Sequence, residues 1–426
     1  MNPLVLINAV GLTPRLLEHA PRLKAIADAG WQASMPEVLP AVTCTAQATL
    51  LTGKLPREHG VVANGWLFRD TNEVRFWQQS NALIQGEPFY KGLRTAKMFW
   101  WFNQGSDVEW YATPKPHYGS DGSKHFGIID RTGCGLEAAL GAFPFASFWG
   151  PKAGLPSSDW IARASALVLR RNQPDLTLVY LPHLDYDYQR AGPGGPGPLA
   201  EVDACAGLVI DAAKEIGAKV VVVSEYGLGR VSRPVYLNQA LRRAGWLAVR
   251  DGPYGESLET FESKAFAVVD HQLAHVYVRG LPLDEVRRAL EKIEGVDRVV
   301  DPKELELDHP RSGELIALAK PDAWFAYPYW LDDARAPDFA RTVDIHRKPG
   351  YDPCELFLTS APKAAARLLQ KKLGFRYRMD VIPLDASLVK GSHGLRPAPE
   401  DGAVIVGENP PDDMKGFKEY VRTLVR

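Results

Sequence analysis

Two textures of apolar and polar positions divide this chain. "LVLIN" at 4–8, "DLTLVYL" at 175–181 and "KVVVVSEYG" at 219–227 are short runs of nearly continuous Val, Leu and Ile without alternation. Such runs predict strands buried on both faces, the pattern of a parallel sheet covered by helices. Between them lie stretches of helical period. Thr13 and Pro14 read as an N-cap and first helical position of a helix reaching about Gly30. A second helix is expected over Thr45–Thr52, capped by Thr45, with Thr49 on its surface and Gly53 as its stop. Further helices are expected near Ser158–Arg171 and Ala200–Ile216. The Gly- and Pro-rich segment "PHLDYDYQRAGPGGPGP" predicts an irregular loop.

Strand–helix–strand alternation therefore predicts an α/β fold, a mostly parallel central sheet with helices on both faces. Residues 60–150 are rich in Trp, Phe and Asn ("RFWQQSN", "MFWWFNQ", "FPFASFWG") and read as loops and short elements around the mouth of the fold. The texture changes near 260, where "KAFAVVDHQLAHVYVRG", "LDEVRRALEKI", "VDRVV" and "GELIALA" predict a small α+β unit. The expected organisation is a core over 1–258, an inserted cap over 259–335 and a return to the core over 336–426.

Composition narrows the function classes. The 426 residues are 46% hydrophobic and 24% charged with a formal net charge of −1, and no basic cluster marks a nucleic-acid polymer as partner. Cys44, Cys134, Cys205 and Cys354 lie far apart and form no CxxC pair, which argues against disulfide scaffolding and structural zinc and fits a reducing cytosol. Cys44, beside a helix start, reads as small core filler. The first apolar run is too short for a signal peptide or a membrane span. A soluble cytoplasmic protein is expected, and no GxxxxGK string supports a P-loop.

In an open α/β sheet, ligands sit beyond the carboxyl ends of the strands. Asn8, Asp185 and Glu225 fall just there. Asp185 lies in "HLDYDYQ", whose acids would be costly to bury unpaired.

The string "PAVTCTAQATLLTGKLPREHG" at 40–60 follows the first strand–loop–helix. Its Thr43, Thr52–Gly53, Pro56 and His59–Gly60, in that order, resemble the nucleotide pyrophosphatase/phosphodiesterase branch of the alkaline phosphatase superfamily. The resemblance extends over most of the chain. It implies a nucleophilic Thr43 and metal ions, usually two zincs, at the carboxyl edge of the sheet. The family's Asp after the first strand corresponds to Asn8, and its Asp-then-His loop ending in GP corresponds to Asp185, Gln189 and Gly192–Pro193. Its SDHG string corresponds to Ser224, Glu225, Tyr226 and Gly227, and its late GxHG to Gly391, His393 and Gly394. Thr43, Asp185 and His393 keep the family's residue type, whereas Asn8, Gln189, Glu225 and Tyr226 depart from it.

Carboxyl and carbonyl oxygens favour harder ions, so one or two divalent ions (Zn, Mn or Mg) are expected on Asn8, Asp185, Glu225 and His393. His271 and His346 are further candidate ligands. Gln189, Tyr226 and Asp187 are candidates for supporting or substrate contacts, and His275 reads as structural. The implied activity is a metal-dependent phosphohydrolase, in particular a phosphodiesterase or nucleotide pyrophosphatase acting on a small-molecule phosphate ester through a phosphothreonine. A non-catalytic ligand-binding relative and a phosphoryl transferase are the alternatives.

Overall fold

The computed structural model describes residues 3–120 and 124–425. Strand β1 (Leu4–Ala9) is buried along its whole length. Two short helices follow, α1 (Pro14–Leu17) and α2 (Pro21–Ala29), in place of the single helix expected over 13–30. Pro21 cannot donate to the preceding turn, so the chain starts a new helix there. Thr13 caps α1, its hydroxyl accepting from Leu16 N. Strand β2 (Trp31–Ser34) lies next in sequence.

Helix α3 (Thr43–Thr52) is buried at every position. It begins two residues earlier than expected. Val42 is the N-cap, Thr43 opens the helix, and Gly53 closes it at φ 68°. Thr45 is therefore not a cap but a residue of the first turn. Thr49 is not on the surface, since it is fully buried and bonded to His59 Nε2 at 2.9 Å.

The aromatic-rich region contributes three strands to the main sheet: β3 (Thr95–Met98), β4 (Trp110–Pro114) and β5 (Ile128–Asp130). Helix α4 (Leu155–Asn172) leads into β6 (Leu176–Leu181). The segment expected to be irregular then forms α5 (His183–Ala191), and only Gly192–Gly195 separates it from α6 (Pro196–Glu215). The glycines and prolines are confined to the junction, and "HLDYDYQRA" before them contains no breaker. Strand β7 (Lys219–Val223) follows.

A separate sheet forms from β8 (Ala265–Asp270), β9 (Leu273–Val278), β10 (Val296–Val300) and β11 (Leu315–Ala319), with α7 (Leu283–Glu291) packed against β10. Its order is β8–β9–β11–β10 and every pairing is antiparallel. Strand β12 (Val404–Gly407) returns to the main sheet.

The main sheet has eight strands in the order β2–β12–β7–β1–β6–β3–β4–β5. The inner pairings β7–β1, β1–β6, β6–β3 and β3–β4 are parallel, and the outer ones are antiparallel. The large mixed sheet with its helices is the α/β fold expected. Asn8 in β1 stands in register with Tyr180 of β6 and Val223 of β7, so the ends of these three strands share one edge. That edge, roofed by the N-terminus of α3, carries the site. Among the described residues no helix is long and apolar enough to cross a membrane.

Candidate active site

Thr43 sits at the first position of α3, where the helix's unpaired N–H groups and dipole face the sheet edge. A chain of polar contacts fixes that end. Asp270 accepts from Asn64 N at 2.7 Å and from Asn64 Nδ2 at 3.2 Å, and Asn64 Oδ1 accepts from Cys44 N at 2.9 Å. Burial raises the Asp270 carboxyl to about 7. Cys44 is core, as expected, and burial pushes its thiol well above the ordinary range.

Two carboxylates flank Thr43. Glu225 Oε1 accepts from Asn8 Nδ2 and from Gln47 Nε2, each at 2.5 Å. Gln47 lies one helical turn after Thr43, and its Oε1 accepts from Trp101 N at 2.9 Å. Burial raises Glu225 to about 8 against the pull of these amides. Thr43 Oγ1 lies 3.0 Å from the Tyr226 hydroxyl and also interacts with Tyr180. Burial holds both phenols neutral, well above their ordinary range.

On the other side, Asp185 occupies the first turn of α5 and accepts from Gln189 Nε2 at 2.7 Å. The Tyr351 hydroxyl donates to Gln189 Oε1 at 2.7 Å, which turns the Gln189 amide nitrogen toward Asp185. His393 Nε2 stands 3.6 Å from Asp185 Oδ1. Its Nδ1 lies 2.7 Å from the Ala41 carbonyl, an acceptor only, so the ring proton sits on Nδ1 and Nε2 keeps a lone pair. Burial lowers His393 to about 3 and raises Asp185 to about 7, so the two form no ion pair near neutral pH.

Four rings stack through the site. Tyr226 stacks on His393 with centroids 3.7 Å apart, His271 meets His393 tilted by 35° at 3.5 Å, and His271 stacks on Tyr351 at 3.9 Å. His271 occupies the β8–β9 turn at φ 60°, a strained conformation for a residue with a Cβ. Ser392 Oγ, 3.3 Å from its Nδ1, helps hold it there, and burial with the neighbouring His393 lowers its pKa well below the ordinary value. Close backbone approach requires the glycines of both late motifs. A Cβ on Gly227 would lie 1.7 Å from Asp401 O, and one on Gly391 would lie 2.2 Å from Tyr188 O.

These groups open into a cavity of 780 Å³ whose far wall includes Trp77, Trp101, Phe126, Phe148 and Trp149. Thr43, Asp185, Tyr226, His271, His346 and His393 all line it. Asn8, Glu225 and Gln189 lie beneath its floor, joined to the lining residues by the hydrogen bonds above. His346 stands apart from the ring stack, with Nδ1 3.2 Å from Phe76 O. Asp187 does not join the cluster; it pairs with Arg190 at 3.1 Å. His275 is bonded to the Val62 carbonyl and to Gly313 N at 3.0 and 3.2 Å. Gln47, Tyr180 and Asn64 were not singled out from the sequence. Gln47 is signalled by its place one turn after Thr43, and Tyr180 by its place near the carboxyl end of a parallel strand.

The donor set can be tested for metal on the buried acceptors left without partners. Asp185 Oδ1 has none and faces the His393 Nε2 lone pair, and Asn8 Oδ1 and Glu225 Oε2 have none either. Buried acceptors left without a partner are costly, and a bound cation relieves that cost. The residues fit divalent ions, with an O/N pair at Asp185–His393 and an all-oxygen set around Asn8 and Glu225.

An open α/β sheet with Thr43 at a helix N-terminus on its carboxyl edge is the arrangement that the resemblance carried by residues 40–60 implies. A family model for type I phosphodiesterase/nucleotide pyrophosphatase matches residues 4–352, and the chain belongs to that family of metal-dependent phosphoester hydrolases, typically zinc enzymes. Among solved structures it is similar to phosphonoacetate hydrolase from Sinorhizobium meliloti 1021 in complex with phosphonoformate. That match has 16% identity and a TM-score of 0.61, and covers 100% of this chain and 96% of the other. It is also similar to the murine and human ectonucleotide pyrophosphatase/phosphodiesterase 5, each at 14% identity and TM-score 0.60, covering 100% of this chain and 95% of theirs. No curated protein sequence matches it.

Proposed function

We propose that the protein is a phosphodiesterase whose nucleophile is Thr43 and whose substrate is a small phosphate ester with an aromatic leaving group. The observation that carries this reading is the position of Thr43 Oγ1, which is buried, 3.0 Å from the Tyr226 hydroxyl whose ring stacks on His393, and on the wall of the cavity that Asp185 and His393 also line.

Asp185 Oδ1 and His393 Nε2 would hold one divalent ion, and Asn8 Oδ1 with Glu225 Oε2 a second. When bound, such ions lower the pKa of a hydroxyl and neutralise phosphoryl oxygens. The chain's own residues supply the rest. Tyr226 and Tyr180 fix the rotamer of Thr43, so its oxygen points at the cavity in one orientation. The N-terminus of α3 faces the phosphoryl oxygens with the positive end of the helix dipole, while the Cys44 N–H is taken by Asn64 Oδ1. Thr43 Oγ1 forms a bond to phosphorus as the bond to the departing ester oxygen breaks, the hydroxyl proton ending on that departing alcohol. Water then cleaves the phosphothreonine ester to release the remaining phosphate monoester and regenerate Thr43. The aromatic wall excludes bulk water from the reacting centre and offers flat surfaces to a ring.

Thr43→Ala is expected to abolish turnover of an aryl phosphodiester while leaving the melting curve within a few degrees of the parent's. Quenching the parent during turnover is expected to leave the phosphoryl group, still carrying the remaining ester, on a peptide containing Thr43. Equal rates in variant and parent would remove Thr43 from the reaction.

A further inference from the structure

A second constellation lies on the side of α5 turned away from the cavity. His183 opens that helix, Asp187 follows one turn later on the same face, and Glu201 projects from α6 across the Gly192–Gly195 junction. One ligand atom from each of the three residues lies within 4.8 Å of the other two, and His183 Nε2 is 3.9 Å from Glu201 Oε2. The His183 side chain is completely buried, yet neither ring nitrogen makes a hydrogen bond. The Pro198 carbonyl lies near enough to favour a proton on the ring, yet its geometry falls short of a bond. A buried imidazole without a partner is costly, and this one is directed at two carboxylates.

We propose that His183, Asp187 and Glu201 form a divalent-cation site, distinct from the cavity, that clamps α5 to α6. One imidazole and two carboxylates, completed by water, suit Zn, Mn or Co. Ligand atoms on a tetrahedral zinc stand roughly 3.4 Å apart, given metal–ligand bonds of about 2.1 Å. The gap of 3.9 Å closes with a rotamer change at Glu201, whose side chain is 45% exposed. Asp187 presents Oδ1 to Arg190 at 3.1 Å, leaving Oδ2 for the ion. Asp185 and Gln189 project from the same helix into the catalytic cluster, so an ion here stiffens the element that positions them.

The test uses the full-length chain stripped of metal and titrated with Co²⁺ or Zn²⁺ in equilibrium dialysis. An Asp185→Asn/His393→Ala variant, lacking the Asp185–His393 pair, is expected to retain an ion whose Co²⁺ absorption shows imidazole coordination. Adding Glu201→Gln is expected to weaken that ion at least tenfold and erase the imidazole band. Should the double variant fold poorly, Glu201→Gln in the otherwise unchanged protein serves instead. It is expected to bind one ion fewer than the parent and to lose part of the metal-induced rise in melting temperature. Equal stoichiometry and affinity with and without Glu201→Gln would overturn the site.

Discussion

Asn8 and Glu225, 217 positions apart in the chain, meet at the carboxyl edge of the sheet through a 2.5 Å hydrogen bond from Asn8 Nδ2 to Glu225 Oε1. A donor thus stands where the family resemblance implies a carboxylate, and the pair is self-satisfied through one atom of each while Asn8 Oδ1 and Glu225 Oε2 stay without a partner. Asn8→Asp replaces that donor with an acceptor facing an acceptor. Without ions the variant is expected to lose about 1–3 kcal/mol, the cost of an unsatisfied buried polar group. With Zn²⁺ or Mn²⁺ it is expected to recover more than the parent does, because two facing carboxylates bind a shared cation more tightly. Urea-unfolding midpoints with and without the ion give both quantities. A loss that no divalent ion reverses would show that Asn8 Oδ1 does not face an ion.

Gln47 joins Glu225 to the backbone of the aromatic wall through its bonds to Glu225 Oε1 and Trp101 N. Gln47→Leu keeps the volume and removes both contacts. The expected cost is roughly 1–3 kcal/mol of stability. Turnover is expected to fall with it, while Gln47→Glu, which retains the acceptor for Trp101 N, is expected to keep the wall in place but repel Glu225. Comparing kcat and the unfolding midpoint for the two variants separates the contacts, and an unchanged kcat in both would leave Gln47 without a positioning role.

How far these features were legible in the chain differs between elements. The buried strands at 4–9, 176–181 and 219–223 follow directly from apolar runs, because burial on both faces leaves no room for polar positions. Helix α5 was hidden by the breakers behind it, since composition averaged over 182–198 masks a residue-level boundary at Gly192. The start of α3 was misplaced because Thr45 offers a capping hydroxyl, whereas the structure uses the backbone of Val42 and leaves the Thr45 hydroxyl without a partner. Gln47 and Tyr180 sit inside apolar-looking segments, and what singles them out is a partner more than 50 residues away, Trp101 for Gln47 in particular. Pattern along a chain reports burial; it does not report which distant group a buried polar atom meets.

Lys97 carries a pH dependence of stability. It is fully buried on β3, with Nζ 3.2 and 3.1 Å from the carbonyls of Trp101 and Phe102, in a turn where Phe99 and Phe102 adopt φ of 65° and 61°. Burial lowers its pKa from 10.5 to about 7. Between those values the unfolded chain holds a proton that the folded chain lacks, so folding becomes more favourable as pH rises from about 7 toward 10.5. Below about 7 both states are protonated and this contribution is flat. The parent is expected to gain stability on the order of a few kcal/mol across that window from this residue. Lys97→Met is expected to abolish that part of the slope whatever it does to absolute stability, as read from urea titrations at pH 7, 8 and 9. A slope unchanged by the substitution would assign it to other groups.

Trp77 tests the choice of leaving group. Its ring stands 5.0 Å from that of Trp101 and 6.0 Å from that of Tyr351, whose own ring stacks on His271. Its backbone is held at φ 60°, so the residue is fixed in a conformation that a bulky side chain rarely adopts. Trp77 thus connects the ring stack to the aromatic wall of the cavity, and under the proposed reaction a departing ring would stack against it. Stacking of a base on an aromatic side chain contributes about 1–3 kcal/mol. Trp77→Ala is therefore expected to lower kcat/KM for an aryl or nucleoside phosphodiester by roughly 10- to 100-fold, at 1.4 kcal/mol for each tenfold. For a small alkyl phosphodiester, which has no ring to stack, the same substitution is expected to change kcat/KM only a few-fold. Trp77→Phe is expected to restore most of the aryl rate. Equal losses on aryl and alkyl esters would mean that Trp77 supports the fold of the site instead of selecting the leaving group, and the aromatic preference would then have to come from Trp149 or Phe148.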